Sequence, residues 1–144
     1  MSPDLIGIII AIAFLVPTIY VIRSRGFDAW AWPLILATLP VYYMLMGLLA
    51  MDGSAILQEL LWGLPYIAVG LFVWRIRSQM ALNVVAMAWI SHGFYDYYHD
   101  VLFVNPGVFS WYPAFCAFVD IVVGGYLLAD ARGWVASKVI RQVS

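Results

Sequence analysis

The sequence predicts an all-α integral membrane protein, a polytopic bundle of five transmembrane helices. Of its 144 residues, 65% are apolar and 10% are charged, whereas soluble domains are about half apolar and about a quarter charged. The apolar residues form runs of about 20, the length of helix that crosses a hydrocarbon core. Because lipid cannot satisfy exposed backbone groups, each run is expected to be a helix. Residues 1–144 are therefore predicted to form a single transmembrane domain.

The five predicted spans follow one another with short connections. They cover approximately residues 5–22, 30–51, 55–74, 81–102 and 109–129. The first three contain Pro17, Pro40 and Pro65, each of which removes one backbone hydrogen bond and is expected to bend its helix. The fourth span is the least apolar, and it contains the most informative polar residues of the chain.

The basic residues indicate the orientation. All of them follow the first, third or fifth span, at Arg23, Arg25, Arg75, Arg77, Arg132, Lys138 and Arg141. Basic residues favour the cytoplasmic side, so the amino terminus is predicted outside and the carboxyl terminus inside. We expect a plasma membrane or a bacterial-type inner membrane. The short basic segment 132–144 is expected to lie at the membrane surface.

The overall charge argues against nucleic acid as a partner, since Lys and Arg number 7 and Asp and Glu number 8. The expected partners are instead membrane lipids and further copies of the same chain. The single cysteine, Cys116, lies in an apolar stretch and excludes an intrachain disulfide or a CxxC metal motif.

Residues 91–100 place two histidines and two aspartates within the fourth span. Ionisable groups are costly at membrane depth and usually face the interior of a bundle. At 100° per residue, His92, Asp96 and His99 fall within about 60° of one another on a helix, with Asp100 at the edge of that face. One helix can thus present three polar groups together.

Two further acids are predicted to meet this face. Counted from the outer ends of their spans, Asp120 is as deep as His92, at roughly 14 Å, and Glu59 is close to the depth of Asp96. Both acids share a helix face with glycines, Gly63 for Glu59 and Gly124 for Asp120. Small residues let helices approach closely, so both acids are expected inside the bundle.

Imidazoles and carboxylates are ligands for zinc, iron or manganese. We therefore predict an outward-opening intramembrane pocket that holds one such metal through His92, Asp96, His99 and Glu59. A water bound to the metal could be deprotonated at neutral pH and attack an ester or amide bond, with Asp120 or Asp96 as the catalytic base. This hypothesis is a metal-dependent hydrolase acting on a lipidic or small apolar substrate.

The gathering of His and Asp from several spans resembles membrane-embedded metal hydrolases such as alkaline ceramidases and adiponectin receptors. The resemblance covers only these few residues, because those families have seven spans and different spacings.

Three other interpretations are open at this stage. The polar residues could simply fix helix order, His92 pairing with Asp120 and His99 with Asp100 or Glu59. The chain could be a non-enzymatic assembly partner or a proton-linked transport component. It could also be a metal-free acid/base isomerase or cyclase of lipids, in which aromatic rings stabilise a cation. The aromatic candidates for that role are Tyr66, Tyr95, Tyr97, Tyr98, Trp62 and Trp89.

Overall fold

The computed structural model describes residues 1–76 and 78–143, with side chains at all of these positions except Gln79 and 131–143. Over this part of the chain there are six helices and no strand. The helices are α1 (Pro3–Ser24), α2 (Asp28–Leu49), α3 (Gly53–Ile76), α4 (Gln79–Tyr97), α5 (His99–Leu102) and α6 (Tyr112–Val143). The predicted all-α class is confirmed. The predicted basic interfacial segment 132–144 lies outside the residues whose side chains are described.

Four helices are long and apolar enough to cross a membrane: α1, α2, α3 and the Tyr112–Asp130 part of α6. Prolines 17, 40 and 65 lie inside α1, α2 and α3, and each helix continues past its proline. The membrane-like character predicted from composition is thus present in the folded chain.

The predicted fourth segment, 81–102, forms two helices rather than one. α4 ends at Tyr97 and α5 begins at His99, with Tyr98 between them at φ −98° and ψ 7°. α4 is long enough to cross a membrane, at 19 residues, but it is less apolar than the four helices named above. Part of the reason is that His92 and Asp96 occupy its inner face, where both are buried.

Side-chain oxygens mark the starts of three helices. Ser2 Oγ accepts a hydrogen bond from the Leu5 amide, and Ser78 Oγ accepts one from the Ala81 amide. Asp52 Oδ1 accepts from two amides at the start of α3. These caps satisfy amides that have no partner within the helix, and they stabilise a helix start by roughly 1 kcal/mol each.

The helices pack in a chain of neighbours. α2 lies along α3, α6 lies between α1 and α4, and α4 also contacts α3. α1 and α2 make little contact with each other. The buried centre is formed by large side chains such as Trp32, Leu36 and Trp89. An open groove remains between α1 and α2.

Two glycines allow the closest helix approaches near the polar residues. A Cβ at Gly63 would overlap the ring of Pro40 on α2. A Cβ at Gly124 would lie 2.8 Å from the Ala86 carbonyl oxygen of α4. The predicted close packing of these faces is therefore present, and it brings α6 against α4 and α3 against α2.

The opposite end of the bundle is held by a small polar network. Arg23 Nη1 lies 2.7 Å from Asp130 Oδ1 and donates to the Tyr126 hydroxyl. Tyr126 in turn donates to Asp28 Oδ1 at 2.6 Å. This network connects α1, α2 and α6 at the end of the bundle where α1 ends and α2 begins.

Candidate functional site

The centre of the site is a histidine of α4 that faces two carboxylates. His92 Nδ1 lies 2.6 Å from Asp120 Oδ2 on α6 and 3.1 Å from Asp96 Oδ2, one turn further along α4. The three residues are at most 1% exposed. We call this group the His92 cluster. The predicted meeting of His92 with Asp120 is thus observed.

The His92 cluster has an excess of hydrogen-bond acceptors. Asp96 Oδ1 and Asp120 Oδ1 are both buried and have no hydrogen-bond partner among the described residues. A buried carboxylate oxygen without a partner is unfavourable by roughly 1–3 kcal/mol or more. The site is therefore suited to a proton, a cation or a hydrogen-bond donor beside these two oxygens.

Charge leads to the same conclusion. The hydrogen-bond partners of His92 are the two aspartates, and no described Lys or Arg bonds to the cluster. Two carboxylates with a neutral imidazole carry a charge of about −2, which is very costly in a low-dielectric interior. One divalent cation would neutralise that charge.

The geometry also fits a metal. One ligand atom from each of His92, Asp96 and Asp120 lies within 4.8 Å of the others. Ligands of a tetrahedral zinc at about 2.0–2.1 Å are about 3.3 Å apart. The 2.6 Å contact between His92 and Asp120 would have to lengthen by about 0.7 Å to admit the ion.

A second cluster lies around Glu59 of α3. Glu59 Oε1 lies 2.8 Å from His99 Nε2, and Glu59 Oε2 accepts from the Tyr95 hydroxyl at 2.8 Å. His99 Nδ1 lies 3.1 Å from Asp100 Oδ1, and the Asp100 side chain is 75% exposed. We call this group the Glu59 cluster. It connects a buried acid to the surface through one imidazole.

Asn105, in the loop between α5 and α6, completes the Glu59 cluster. Its Nδ2 donates to Glu59 Oε1 at 2.8 Å and to the Tyr43 carbonyl oxygen of α2 at 3.1 Å. Its Oδ1 accepts from the Gly107 amide. Both oxygens of Glu59 therefore have partners, whereas one oxygen of each aspartate has none among the described residues.

Aromatic rings separate the two clusters. The Tyr95 ring centroid is 5.4 Å from the His92 ring and 5.7 Å from the His99 ring. Tyr43 stacks on His99 at 4.7 Å, and Tyr66 meets the His92 ring edge at 4.5 Å. The Tyr95 ring therefore contacts the histidine of each cluster.

The predicted site residues therefore form two groups. Asp120 and Asp96, the predicted catalytic residues, lie with His92. Asp96 and His92 are also two of the four predicted metal ligands. His99 and Glu59, also predicted as metal ligands, bond to each other in the second group. Within the described residues, His92, Asp96 and Asp120 are the trio close enough to hold one ion. Their near-zero exposure means that no opening to the outer surface is seen at these side chains.

Some contributors had no clear signal in the sequence. Asn105 precedes Pro106 and Gly107 and looks like an ordinary turn residue, and Tyr43 is one aromatic among many. Of the aromatic residues proposed for cation stabilisation, Tyr66, Tyr95 and Trp89 line the interior. Tyr97 and Tyr98 are 70% and 51% exposed.

A cavity of about 350 Å³ reaches the His92 cluster from the gap between α1 and α2. It is lined by apolar and aromatic side chains, and Asp120 is the one charged residue among them. Phe14 of α1, at its rim, is 52% exposed. The cavity therefore opens sideways, on the surface that would face lipid.

Comparison of the chain with protein-family models, with curated proteins and with solved structures finds no match.

Proposed function

We propose that this chain is a five-span membrane protein whose His92 cluster binds one divalent transition metal, and that the bound metal serves the hydrolysis of a lipidic or small apolar substrate. The observation that carries the proposal is the buried trio of His92, Asp96 and Asp120, which has two carboxylate oxygens without partners. A zinc, iron or manganese ion held by one oxygen of each aspartate and by His92 would neutralise the charge of the two carboxylates.

α4 is the fifth span in this proposal. Its 19 residues extend about 28 Å, close to the thickness of a hydrocarbon core. Its ionisable residues His92 and Asp96 are buried in the bundle and do not face lipid. With five spans, all seven basic residues lie on one side, which favours an outer amino terminus and a cytoplasmic carboxyl terminus.

The chemistry follows from the donor set. His92, Asp96 and Asp120 would hold the metal, which would supply Lewis-acid chemistry and a water activated at neutral pH. The oxygen of Asp96 or Asp120 that does not hold the metal would accept a proton from the attacking water. It would return this proton to the leaving alcohol or amine as the ester or amide bond breaks. Tyr66 packs against the imidazole of His92, with the two rings roughly perpendicular and their centroids 4.5 Å apart.

Metal analysis of the purified protein tests this proposal. Protein prepared without chelators and loaded in turn with zinc, iron and manganese should retain about one equivalent of one of them. His92→Ala should retain less than about a tenth of an equivalent. His99→Ala is the matched control, because this histidine lies in the other cluster and its loss should leave the metal bound. Wild type that retains less than about a tenth of an equivalent of every metal would overturn the proposal.

A metal-free acid/base role is the second candidate, and one observation favours it. His92 Nδ1 lies at hydrogen-bonding distance from two carboxylates, 2.6 Å from one and 3.1 Å from the other. An imidazolium can share one proton between them, which lowers the net charge without a metal. In that case the purified protein should retain no metal. The expected activity would be a proton transfer such as an isomerisation.

A further inference from the structure

The groove between α1 and α2 has the features of a ligand site rather than a packing defect. Its volume of about 350 Å³ is at the low end of the range for ligand pockets, roughly 300–1,000 Å³. The lining is apolar apart from Thr18 and Asp120 and the polar groups of Tyr, Trp and Cys side chains. Ligand sites combine such an apolar wall with a few polar groups that fix orientation.

The shape of the groove favours one long chain. Two of its lining residues, Trp32 and Met46, are about four turns apart on α2, which corresponds to roughly 21 Å. The groove is therefore elongated along the helices, parallel to the chains of surrounding lipids. A volume at the low end of the ligand range leaves room for one hydrocarbon chain and not for two.

Asp120 supplies the second, independent observation. It is the charged residue of the lining, it is fully buried, and its Oδ1 has no hydrogen-bond partner among the described residues. A purely hydrocarbon occupant would leave this oxygen unsatisfied. An occupant with a hydroxyl or amine group would donate to it, and a hydrogen bond to a charged group is among the stronger ones.

We infer that the groove binds a single-chain lipid with a hydrogen-bond-donating polar group, and that the lipid enters sideways from the membrane between α1 and α2 with this group against Asp120. As an assignment of substrate class, this rests on the proposed function, because it places the polar group of the lipid beside the His92 cluster. Occupancy of the groove itself requires no metal.

Photolabelling in phosphatidylcholine vesicles tests the inference with two matched probes. One is hexadecanol with a diazirine in its chain, and the other is the corresponding hydrocarbon without the hydroxyl. The alcohol should label peptides of α1, α2 and α6 that line the groove, with a yield about tenfold above that of the hydrocarbon. Labelling spread evenly over the lipid-facing surface, or equal for both probes, would overturn the inference.

Two Leu→Trp variants of α2 provide the matched control. Leu39 lines the groove, so Leu39→Trp should lower alcohol labelling of groove peptides about tenfold. Leu45 is exposed outside the groove at 49%, and Leu45→Trp should leave the labelling unchanged. Thr18→Phe narrows the groove from α1 and replaces Leu39→Trp if that variant does not fold. Unchanged labelling in a folded groove variant counts against the inference.

The result is separable from the metal test. Groove labelling with no retained metal would reject the proposed hydrolase and keep the lipid site. Retained metal with no groove labelling would keep the metal centre and reject this lipid as its ligand.

Discussion

Asp120 Oδ2 lies 2.6 Å from His92 Nδ1, across the interface between α6 and α4. This contact joins two helices at a depth where neither side chain is exposed. Any change that moves α6 from α4 therefore changes the chemistry of the site as well as the packing.

Substitution at Gly124 should show this coupling. A Cβ there would lie 2.5 Å from Ile90 Cγ1 and 2.8 Å from the Ala86 carbonyl oxygen. Gly124→Val should therefore lower the free energy of unfolding by about 1–3 kcal/mol and reduce retained metal. Gly125→Val is the control, because nothing lies within 4 Å of its Cβ position. Equal effects at the two glycines, measured by thermal unfolding and metal analysis, would contradict this interpretation.

Metal binding should stabilise the folded chain. A ligand at about 100 times its Kd adds about 2.7 kcal/mol to the free energy of unfolding. For a chain of this size that corresponds to a rise in Tm of about 5 °C or more. Wild-type protein should show this rise in a thermal scan with added metal, and His92→Ala should not. A similar rise in both proteins would place the bound metal elsewhere.

Asn105 should matter for stability although it lies in a loop. Asn105→Leu removes a donor from Glu59 Oε1 and from the Tyr43 carbonyl oxygen, at an expected cost of about 1–3 kcal/mol. Asn83 is exposed, and Asn83→Leu should change the free energy of unfolding by less than about 0.5 kcal/mol. Thermal or denaturant unfolding in a membrane mimetic compares the two. No difference between them would mean that the Glu59 cluster does not hold the loop.

The five-span orientation can be tested with single cysteines. Cys116 is the one native cysteine and is buried, so a Cys116→Ala background removes the native thiol and should lower the free energy of unfolding by about 1 kcal/mol. Ser110→Cys and Ser24→Cys then place exposed thiols in the α5–α6 loop and at the end of α1. An impermeant thiol reagent added to intact cells should label Ser110→Cys and spare Ser24→Cys. The reverse pattern would show that the topology is inverted. Labelling of both sites would show that an even number of spans, rather than three, separates them.

Much of the site could be predicted because it depends on regular helix geometry. The spacing of His92 and Asp96 on one helix, and the equal depth of His92 and Asp120 on neighbouring helices, follow from the residue rise alone. Spacing does not determine partner choice when several polar groups are within reach. The prediction placed Glu59 and His99 in one metal site with His92 and Asp96. In the structure Glu59 bonds to His99 in a separate cluster.

The contributions of Asn105 and Tyr43 could not be predicted for a different reason. Asn105 reaches Glu59 because the loop after α5 folds back over α2, and its contact with the Tyr43 carbonyl holds it there. No periodicity in the sequence encodes such a long-range contact. The sequence likewise does not predict the helix break at Tyr98. Residues 81–102 contain no proline, and their one glycine, Gly93, lies five residues before the break.

The break at Tyr98 makes the outer end of the fourth segment sensitive to helical phase. One alanine inserted between Tyr97 and Tyr98 would turn His99 by about 100° and carry its ring away from Glu59. His92 and Asp96 precede the insertion and would keep their bearing toward α6. An insertion between Gly107 and Ser110 would not rotate His92, Asp96 or His99 about their helix axes. We therefore expect insertions to be better tolerated in this loop than within three residues of Tyr98.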